Sequence, residues 1–155
     1  MVKKNYQEKI ESPKTARAFA SNQGISLKFA TEMCREIRNK KIEKAEAMIQ
    51  RILEKKDFLP LRVYRKKTAH RRGESKSGVK SGRYPEKVCN AFLNILNSVK
   101  ANADFKGLDA ENLLIVHAFA SQGFRRGSHQ PKGKIAGKRW AKKSTHIEVV
   151  VREAA

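Results

Sequence analysis

Lysine and arginine are the side chains whose number and spacing point most directly to chemistry. The 155-residue chain has 35 of them against 15 Asp and Glu, which gives a formal net charge of +20 at pH 7. Two windows, residues 62–83 and 124–143, each carry a net charge of +8 and together hold +16 of that excess. Such one-signed runs repel themselves and stay extended unless a polyanion neutralises them. The pattern therefore predicts a protein that pairs its cations with the phosphates of a nucleic acid.

Most of the candidate phosphate contacts lie in these two windows. Those of the first window are Arg62, Arg65, Lys66, Lys67, Arg71, Arg72, Lys76, Lys80 and Arg83. Those of the second window are Arg125, Arg126, Lys134, Lys138, Arg139, Lys142 and Lys143. Four further candidates precede both windows: Arg17, Lys28, Lys40 and Lys41. Tyr84, Phe124 and Trp140 lie in or beside the windows, where aromatic rings can stack on unpaired bases. An alternative for Phe124 and Trp140 is that they anchor a basic arm on the rest of the domain.

Membrane surfaces are also anionic, but the two basic windows lack the apolar face that an interfacial helix buries. No apolar run approaches the ~20 residues that span a bilayer. The first five residues, Met1 to Asn5, lead into no apolar signal core. We therefore expect no membrane insertion, no secretion and a cytoplasmic location.

The residues suited to catalysis show no catalytic pattern. His70, His117, His129 and His146 are scattered, and none has a metal-ligand spacing with Cys34 or Cys89. The pairs Glu32/Glu36 and Glu43/Glu46 share helix faces with Lys and Arg, which is typical of surface i,i+4 ion pairs. There is no phosphate-cradling glycine loop. We expect no catalytic residue, no metal site and no cofactor, and we interpret the cysteines as small buried hydrophobes, with a disulfide as the alternative.

The periodicity of the apolar residues predicts which elements position the cations. Three segments have helical spacing: residues 27–39 after a capping Ser26, 42–55, and 85–102 beginning at Pro85. Three segments resemble strands: residues 15–22, 113–120 and 144–152. In the last of these, Ile147, Val149 and Val151 alternate with residues expected on the opposite face of the strand. These elements predict an α+β fold with three helices packed on a small three-stranded antiparallel sheet.

The two basic windows interrupt this single domain of residues 1–155. Residues 57–84 form a basic irregular insertion, because from Pro60 onward they have almost no apolar periodicity and cannot bury a core of their own. Residues 121–143 separate two strands by far more than a hairpin loop, so we predict that the strands continue as a long basic β-hairpin arm. An isolated hairpin is marginal in water, and the arm therefore needs an anionic partner to shape it.

Three motifs carry a resemblance to a known family. They are Gly82-Arg83-Tyr84-Pro85-Glu86-Lys87, Asn102-Ala103-Asp104 and Ser144-Thr145-His146-Ile147-Glu148-Val149-Val150-Val151. With the order of elements from Thr15 to Glu153, they resemble the family of universal large-subunit ribosomal protein twenty-two, in its archaeal and eukaryotic form. Trp140 falls where the archaeal form also carries tryptophan.

The resemblance implies a structural constituent of the large ribosomal subunit that binds ribosomal RNA and aids assembly. The implied partners are large-subunit ribosomal RNA, neighbouring ribosomal proteins and, transiently, the nascent peptide. The arm would line the peptide exit tunnel, with Gln130, Pro131, Lys132 and Gly133 at its tip. The family tip pattern Pro-Arg-Ala-x-Gly-Arg-Ala corresponds to residues 131–137, where its final Gly-Arg-Ala is replaced by Ile-Ala-Gly.

Two alternatives remain open from the residues alone. One is a free-standing RNA- or DNA-binding module, such as a chaperone or regulator, that uses a single basic surface. The other is a small nucleic-acid-processing enzyme, which would require a metal or a carboxylate cluster.

Overall fold

A three-stranded antiparallel sheet is the frame of the protein. The computed structural model describes residues 6–7, 14–72, 78–130 and 138–154. In chain order the elements are β1 (Thr15–Gln23), α1 (Leu27–Ile37), α2 (Ile42–Leu53), β2 (Leu59–Pro60), β3 (Gly82–Arg83), α3 (Glu86–Phe105), a 3-10 turn (Ala110–Asn112), β4 (Leu113–Gln130) and β5 (Lys138–Glu153). The strand order is β1-β5-β4, and β2 pairs with β3 separately. This architecture confirms the predicted α+β fold.

The three helices cover one face of the sheet and form the core with it. α3 packs against β1 and α2, and α1 packs against β4. On β5, Ile147, Val149 and Val151 are fully buried. The largest fully buried residues of the helices are Met33, Ile37, Ile42, Ile49, Ile52, Phe92 and Leu96. Burial of each such side chain contributes ~1.5–3 kcal/mol, so this apolar layer dominates the stability of the body.

The helix ends differ from the predicted ones by a few residues. α1 ends at Ile37, because Arg38 leaves the helical region with a ψ of 141° and Asn39 then takes a left-handed φ of 60°. α2 ends at Leu53. Pro85 is the N-cap of α3 rather than its first helical residue, and α3 continues to Phe105, three residues beyond the predicted end. Ser26 is the N-cap of α1 as expected, but its side chain makes no capping hydrogen bond.

The face of the sheet opposite the helices is also partly buried, which the alternation along β5 did not predict. Glu148 is 4% exposed and Val150 is 1% exposed. Nε2 of His117, on β4, lies 3.1 Å from a carboxylate oxygen of Glu148. The backbone N–H of Gln7 donates to both oxygens of the same carboxylate, at 3.2 and 3.0 Å. The expected polar face of β5 is therefore a buried, hydrogen-bonded layer at this point.

The predicted irregular insertion is anchored to the body at both ends. Leu59 pairs with Arg83 and Pro60 pairs with Gly82, which closes the segment with a two-stranded sheet. Leu59 is fully buried in the main core, and Phe58 is 5% exposed. A Cβ atom at Gly82 would overlap the Phe58 ring, so only glycine fits there. The irregular path is thus confined to the stretch between these anchored ends.

Candidate nucleic-acid interface

The arm is the distal continuation of β4 and β5. The two strands pair from Arg125↔Lys143 to Gln130↔Lys138. Successive side chains of a strand point to opposite faces, so the register places Arg126, Ser128, Trp140 and Lys142 on one face and Arg125, Gly127, Ala141 and Lys143 on the other. Each face carries exposed cations. The arm therefore presents positive charge in two opposite directions.

The aromatic residues of the arm are exposed. Trp140 is 53% exposed and Phe124 is 57% exposed. The interpretation that these rings anchor the arm on the domain does not fit this exposure. Their faces are available for stacking on a base.

The arm leaves the body at a bulge in β4. The register with β5 shifts between Gln122 and Arg125. The hydroxyl of Ser144, itself 4% exposed, donates to Oδ1 of Asn22 at 3.0 Å and to the Phe124 carbonyl at 3.3 Å. A Cβ at Gly123 would overlap Ser144 Oγ, so glycine is required at this crossing. The bulge and these bonds set the direction in which the arm projects.

The start of the insertion is fixed by Glu32, which the sequence had indicated as a surface residue. That interpretation is wrong, because Glu32 is only 1% exposed. Its carboxylate accepts hydrogen bonds from three successive backbone N–H groups, those of Arg62 (3.3 Å), Val63 (2.8 Å) and Tyr64 (2.7 Å). Glu36, one turn on, does form surface ion pairs, at 3.1 Å to Arg62 and 3.9 Å to Lys40. Together the two carboxylates hold the insertion against α1.

Beyond Tyr64, the cations of the insertion differ in their contacts within the protein. Two of them contact rings: the Arg65 guanidinium lies 5.3 Å from the Phe29 ring centroid and that of Arg71 lies 5.4 Å from the Tyr84 ring centroid. From outside the insertion, Lys28 of α1 lies 6.0 Å from the Tyr64 ring centroid. Arg83 donates to the carbonyls of Ala69 and Gly82 at 3.3 and 2.9 Å. The other described cations of the insertion are exposed: Lys66, Lys67, Arg72 and Lys80. Tyr84 is half-buried, and its buried part packs against the core.

The remaining candidates of the body have contacts within the protein. Arg17 lies 4.9 Å over the Tyr6 ring. Lys41 Nζ donates to Oδ1 of Asn112 at 3.0 Å. The backbone of Lys40 accepts a hydrogen bond from Ile115 N–H at 2.9 Å, which ties the α1–α2 joint to the edge of β4. These cations therefore also serve the fold.

Some predicted site residues lie outside the part of the chain that the structure describes, or at its edge. Lys76 and the residues of the arm tip, Pro131, Lys132, Gly133 and Lys134, lie outside the described residues. The backbone of Gln130, Lys138 and Arg139 belongs to the last paired positions of β4 and β5.

The cysteines are free and buried, as expected, with Cys34 2% exposed and Cys89 fully buried. Burial raises the pKa of Cys34 to about 12 and that of Cys89 to about 11. A thiol with so high a pKa is neutral at physiological pH and is a poor nucleophile or metal ligand. In the described part of the chain, no group of three or more His, Cys, Asp or Glu is arranged to hold a metal ion. None of the described helices has the length and apolar character needed to cross a membrane.

Comparison with known proteins agrees with this architecture. The family model described as "Ribosomal protein L22p/L17e" matches residues 18–152. A protein of Archaeoglobus fulgidus is 45% identical over 124 residues, 79% of each chain. Proteins of Methanococcus aeolicus and Methanoregula boonei are each 35% identical over 155 residues, which is 99% or more of both chains. All three relatives are named "Large ribosomal subunit protein uL22" and come from archaea.

The match covers the helical body, the insertion and both strands of the arm, and archaeal members of this family are components of the cytoplasmic ribosome. The chain therefore belongs to the ribosomal protein L22p/L17e family, whose members have a structural role in the ribosome and are not enzymes.

Proposed function

We propose that the protein binds ribosomal RNA of the large subunit, aids the assembly of that subunit and lines the nascent-peptide exit tunnel with its arm. One observation carries the proposal: the paired strands of the arm expose cations on two opposite faces. A surface that binds a single partner needs charge on one side only. Charge on both sides fits an arm inserted between RNA segments, where phosphates approach from two directions.

The energetics of the arm support an external partner. A two-stranded hairpin is at best marginally stable alone, and neither face of this one is covered by a core. At ~3.3 Å per residue, the described paired part extends roughly 20 Å beyond the bulge. RNA on both sides would neutralise the repulsion between Arg125, Arg126, Lys142 and Lys143. In turn, the arm would lower the repulsion between the RNA segments, which is the assembly role.

Deletion of residues 124–143, with Gly123 joined to Ser144 by a short turn, tests the RNA-binding part of the proposal. The body keeps its core, so we expect native-like circular dichroism and a cooperative thermal transition. Retention of the variant in large subunits, measured on sucrose gradients, should fall strongly. Unchanged retention would show that the arm does not hold the protein in the subunit. A control variant, Gln50→Ala on the exposed side of α2, should be retained like the wild type.

The tunnel-lining part concerns Gln130, Pro131, Lys132 and Gly133 and needs a separate test. A photo-crosslinking residue at position 131 should react with a nascent peptide in stalled translating ribosomes. The same group at position 97, on the exposed side of α3, should not. Equal labelling from both positions, or none from position 131, would exclude this placement of the tip.

A further inference from the structure

An open apolar cleft lies between the amino ends of α1 and α3, at the base of the insertion. Its volume is about 320 Å³, near the lower end of the range for small-molecule sites. The residues that line it are Gly24, Ile25, Ser26, Phe29, Tyr84, Pro85, Glu86, Lys87 and Val88. Two aromatic rings and three aliphatic side chains thus form a concave apolar surface on a protein that is otherwise strongly charged. A mostly apolar cleft with a few polar groups at its edge is the usual form of a ligand site.

Exposed cations lie beside the aromatic walls of the cleft. Arg65 and Arg71, both of the insertion, lie 5.3 and 5.4 Å from the ring centroids of Phe29 and Tyr84. Lys87 belongs to the lining itself. The acid of the lining, Glu86, has a carboxylate oxygen 3.8 Å from Lys55 Nζ, which offsets part of its charge. The neighbourhood of the apolar cleft is therefore net positive.

We propose that this cleft binds one unpaired base of the RNA. The proposal rests on the proposed function and adds a specific contact to it. A nucleobase is a flat aromatic ring that stacks on aromatic side chains and on guanidinium planes, and its nucleotide carries a phosphate. In the cleft, the base would stack on the Phe29 and Tyr84 rings together with the guanidinium groups of Arg65 and Arg71 that lie beside them, and Lys87 would pair with a flanking phosphate. An apolar side chain of another protein would fill the same space but would leave these cations without a counter-charge.

Gly24 offers a way to block the cleft without disturbing the fold. A Cβ at Gly24 would meet no atom within 4 Å, and its φ lies outside the left-handed region. A leucine there can extend into the cleft, whereas an alanine adds one methyl group in open space. Gly24→Leu is therefore the blocking variant and Gly24→Ala is its matched control.

The experiment uses large subunits from cells that express the tagged full-length protein. Ultraviolet irradiation followed by mass spectrometry should identify a nucleotide on a peptide that contains Phe29 or Tyr84. Yield should be equal for the wild type and Gly24→Ala, and about tenfold lower for Gly24→Leu, the loss expected when one stacked base is displaced. Gly24→Leu should still sediment with large subunits, because the arm is unchanged.

A second measurement covers the case in which Gly24→Leu fails to fold. Dimethyl sulfate probing of the subunit RNA should reveal a base that is protected with the wild type and reactive with Phe29→Leu, which keeps apolar volume but removes a ring. Full retention with no nucleotide at the cleft, or a crosslinked peptide of another protein there, would overturn the cleft proposal and leave the proposed function standing. Failure of the wild type itself to sediment with large subunits would instead overturn the proposed function.

Discussion

β4 and β5 run through both the body and the arm, yet their side chains are buried in the body and exposed in the arm. Near the helices, Ile115 of β4 and Ile147 of β5 are fully buried, whereas Trp140 beyond the bulge is 53% exposed. The backbone pairing is the same in both regions, because β4 and β5 form an antiparallel pair on each side of the register shift. Pairing alone therefore does not make a stable domain. The body is stabilised by burial, which the exposed side chains of the arm do not provide.

The insertion lies between these two extremes. Its ends belong to the core through Leu59 and the β2–β3 pair, and its first residues are held by the buried Glu32 carboxylate. Past that point Lys66, Lys67, Arg72 and Lys80 are exposed, like the cations of the arm at positions 125, 126, 142 and 143. A polar anchor can thus hold a charged segment near a body without giving the segment a core.

The largest expected effect is on the free energy of unfolding, and it compares a buried ring of the body with an exposed ring of the arm. Phe92→Ala removes a fully buried ring and should lower the free energy of unfolding by ~3–5 kcal/mol. Trp140→Ala, on the exposed arm, should change it by less than ~0.5 kcal/mol. Urea unfolding of the RNA-free proteins measures both. Equal destabilisation would mean that the arm is part of the folded core.

The next effect tests the anchor of the insertion. Glu32→Ala leaves three backbone N–H groups without their acceptor, so we expect a loss of about 1–3 kcal/mol. Amide hydrogen exchange at Arg62, Val63 and Tyr64 should accelerate. The control Glu43→Ala, at an exposed position in the first turn of α2, should cost less than ~1 kcal/mol. Unchanged exchange at the three amides would show that other contacts hold the insertion.

Replacing the exposed cations of the arm and the insertion should change stability less but should clearly weaken RNA binding. Replacing Arg125, Arg126, Lys142 and Lys143 with alanine should reduce the magnitude of the log-log salt slope of ribosomal RNA binding by ~0.7–0.9 per lost phosphate contact. Replacing Arg65, Lys66 and Lys67 should do the same for the insertion. Filter binding at several salt concentrations gives the slopes. A slope that stays constant in either set would mean that its side chains face solvent in the complex.

The smallest effect at neutral pH concerns the thiols of the body. Because burial raises the pKa of Cys34 to about 12 and of Cys89 to about 11, from 9.0 when unperturbed, their contribution to stability is complete below pH 9 and is lost as pH rises toward these values. The free energy of unfolding should therefore fall more steeply above pH 9 for the wild type than for the Cys34→Ala/Cys89→Ala variant. In that variant, Gly127→Cys on the exposed arm should react with a thiol reagent far faster than the native cysteines do in the wild type. Similar rates would contradict the contrast in burial.

The elements with a strong period were predictable from the sequence. Helical spacing located α1, α2 and α3, and the apolar-rich stretches 113–120 and 144–152 indicated β4 and β5. Helix ends were less predictable, since Asn39 and Pro85 act through local backbone geometry that periodicity does not contain. The exposure of Trp140 could not be read from its residue type, and it argues against the interpretation that the ring anchors the arm on the domain.

The buried polar groups were not predictable. Glu32 shares a helix face with basic neighbours, but its real partners are amides about thirty residues away. His117 and Glu148 become neighbours only because β4 and β5 pair with a shift between Ile115 and His117. The apolar cleft likewise requires the amino ends of two helices to meet. Each depends on a tertiary contact that no local pattern encodes.

The position of β5 has a consequence for the timing of folding. It is the central strand, yet it follows both of its neighbours in the chain. Thr15 of β1 therefore cannot pair until Arg152 has been synthesised. While the polypeptide is being synthesised, β1 and β4 have no partner to complete the ladder, although the helices can already associate. Such sequence-distant pairing slows folding, so the sheet is expected to close in a late step after β5 has emerged.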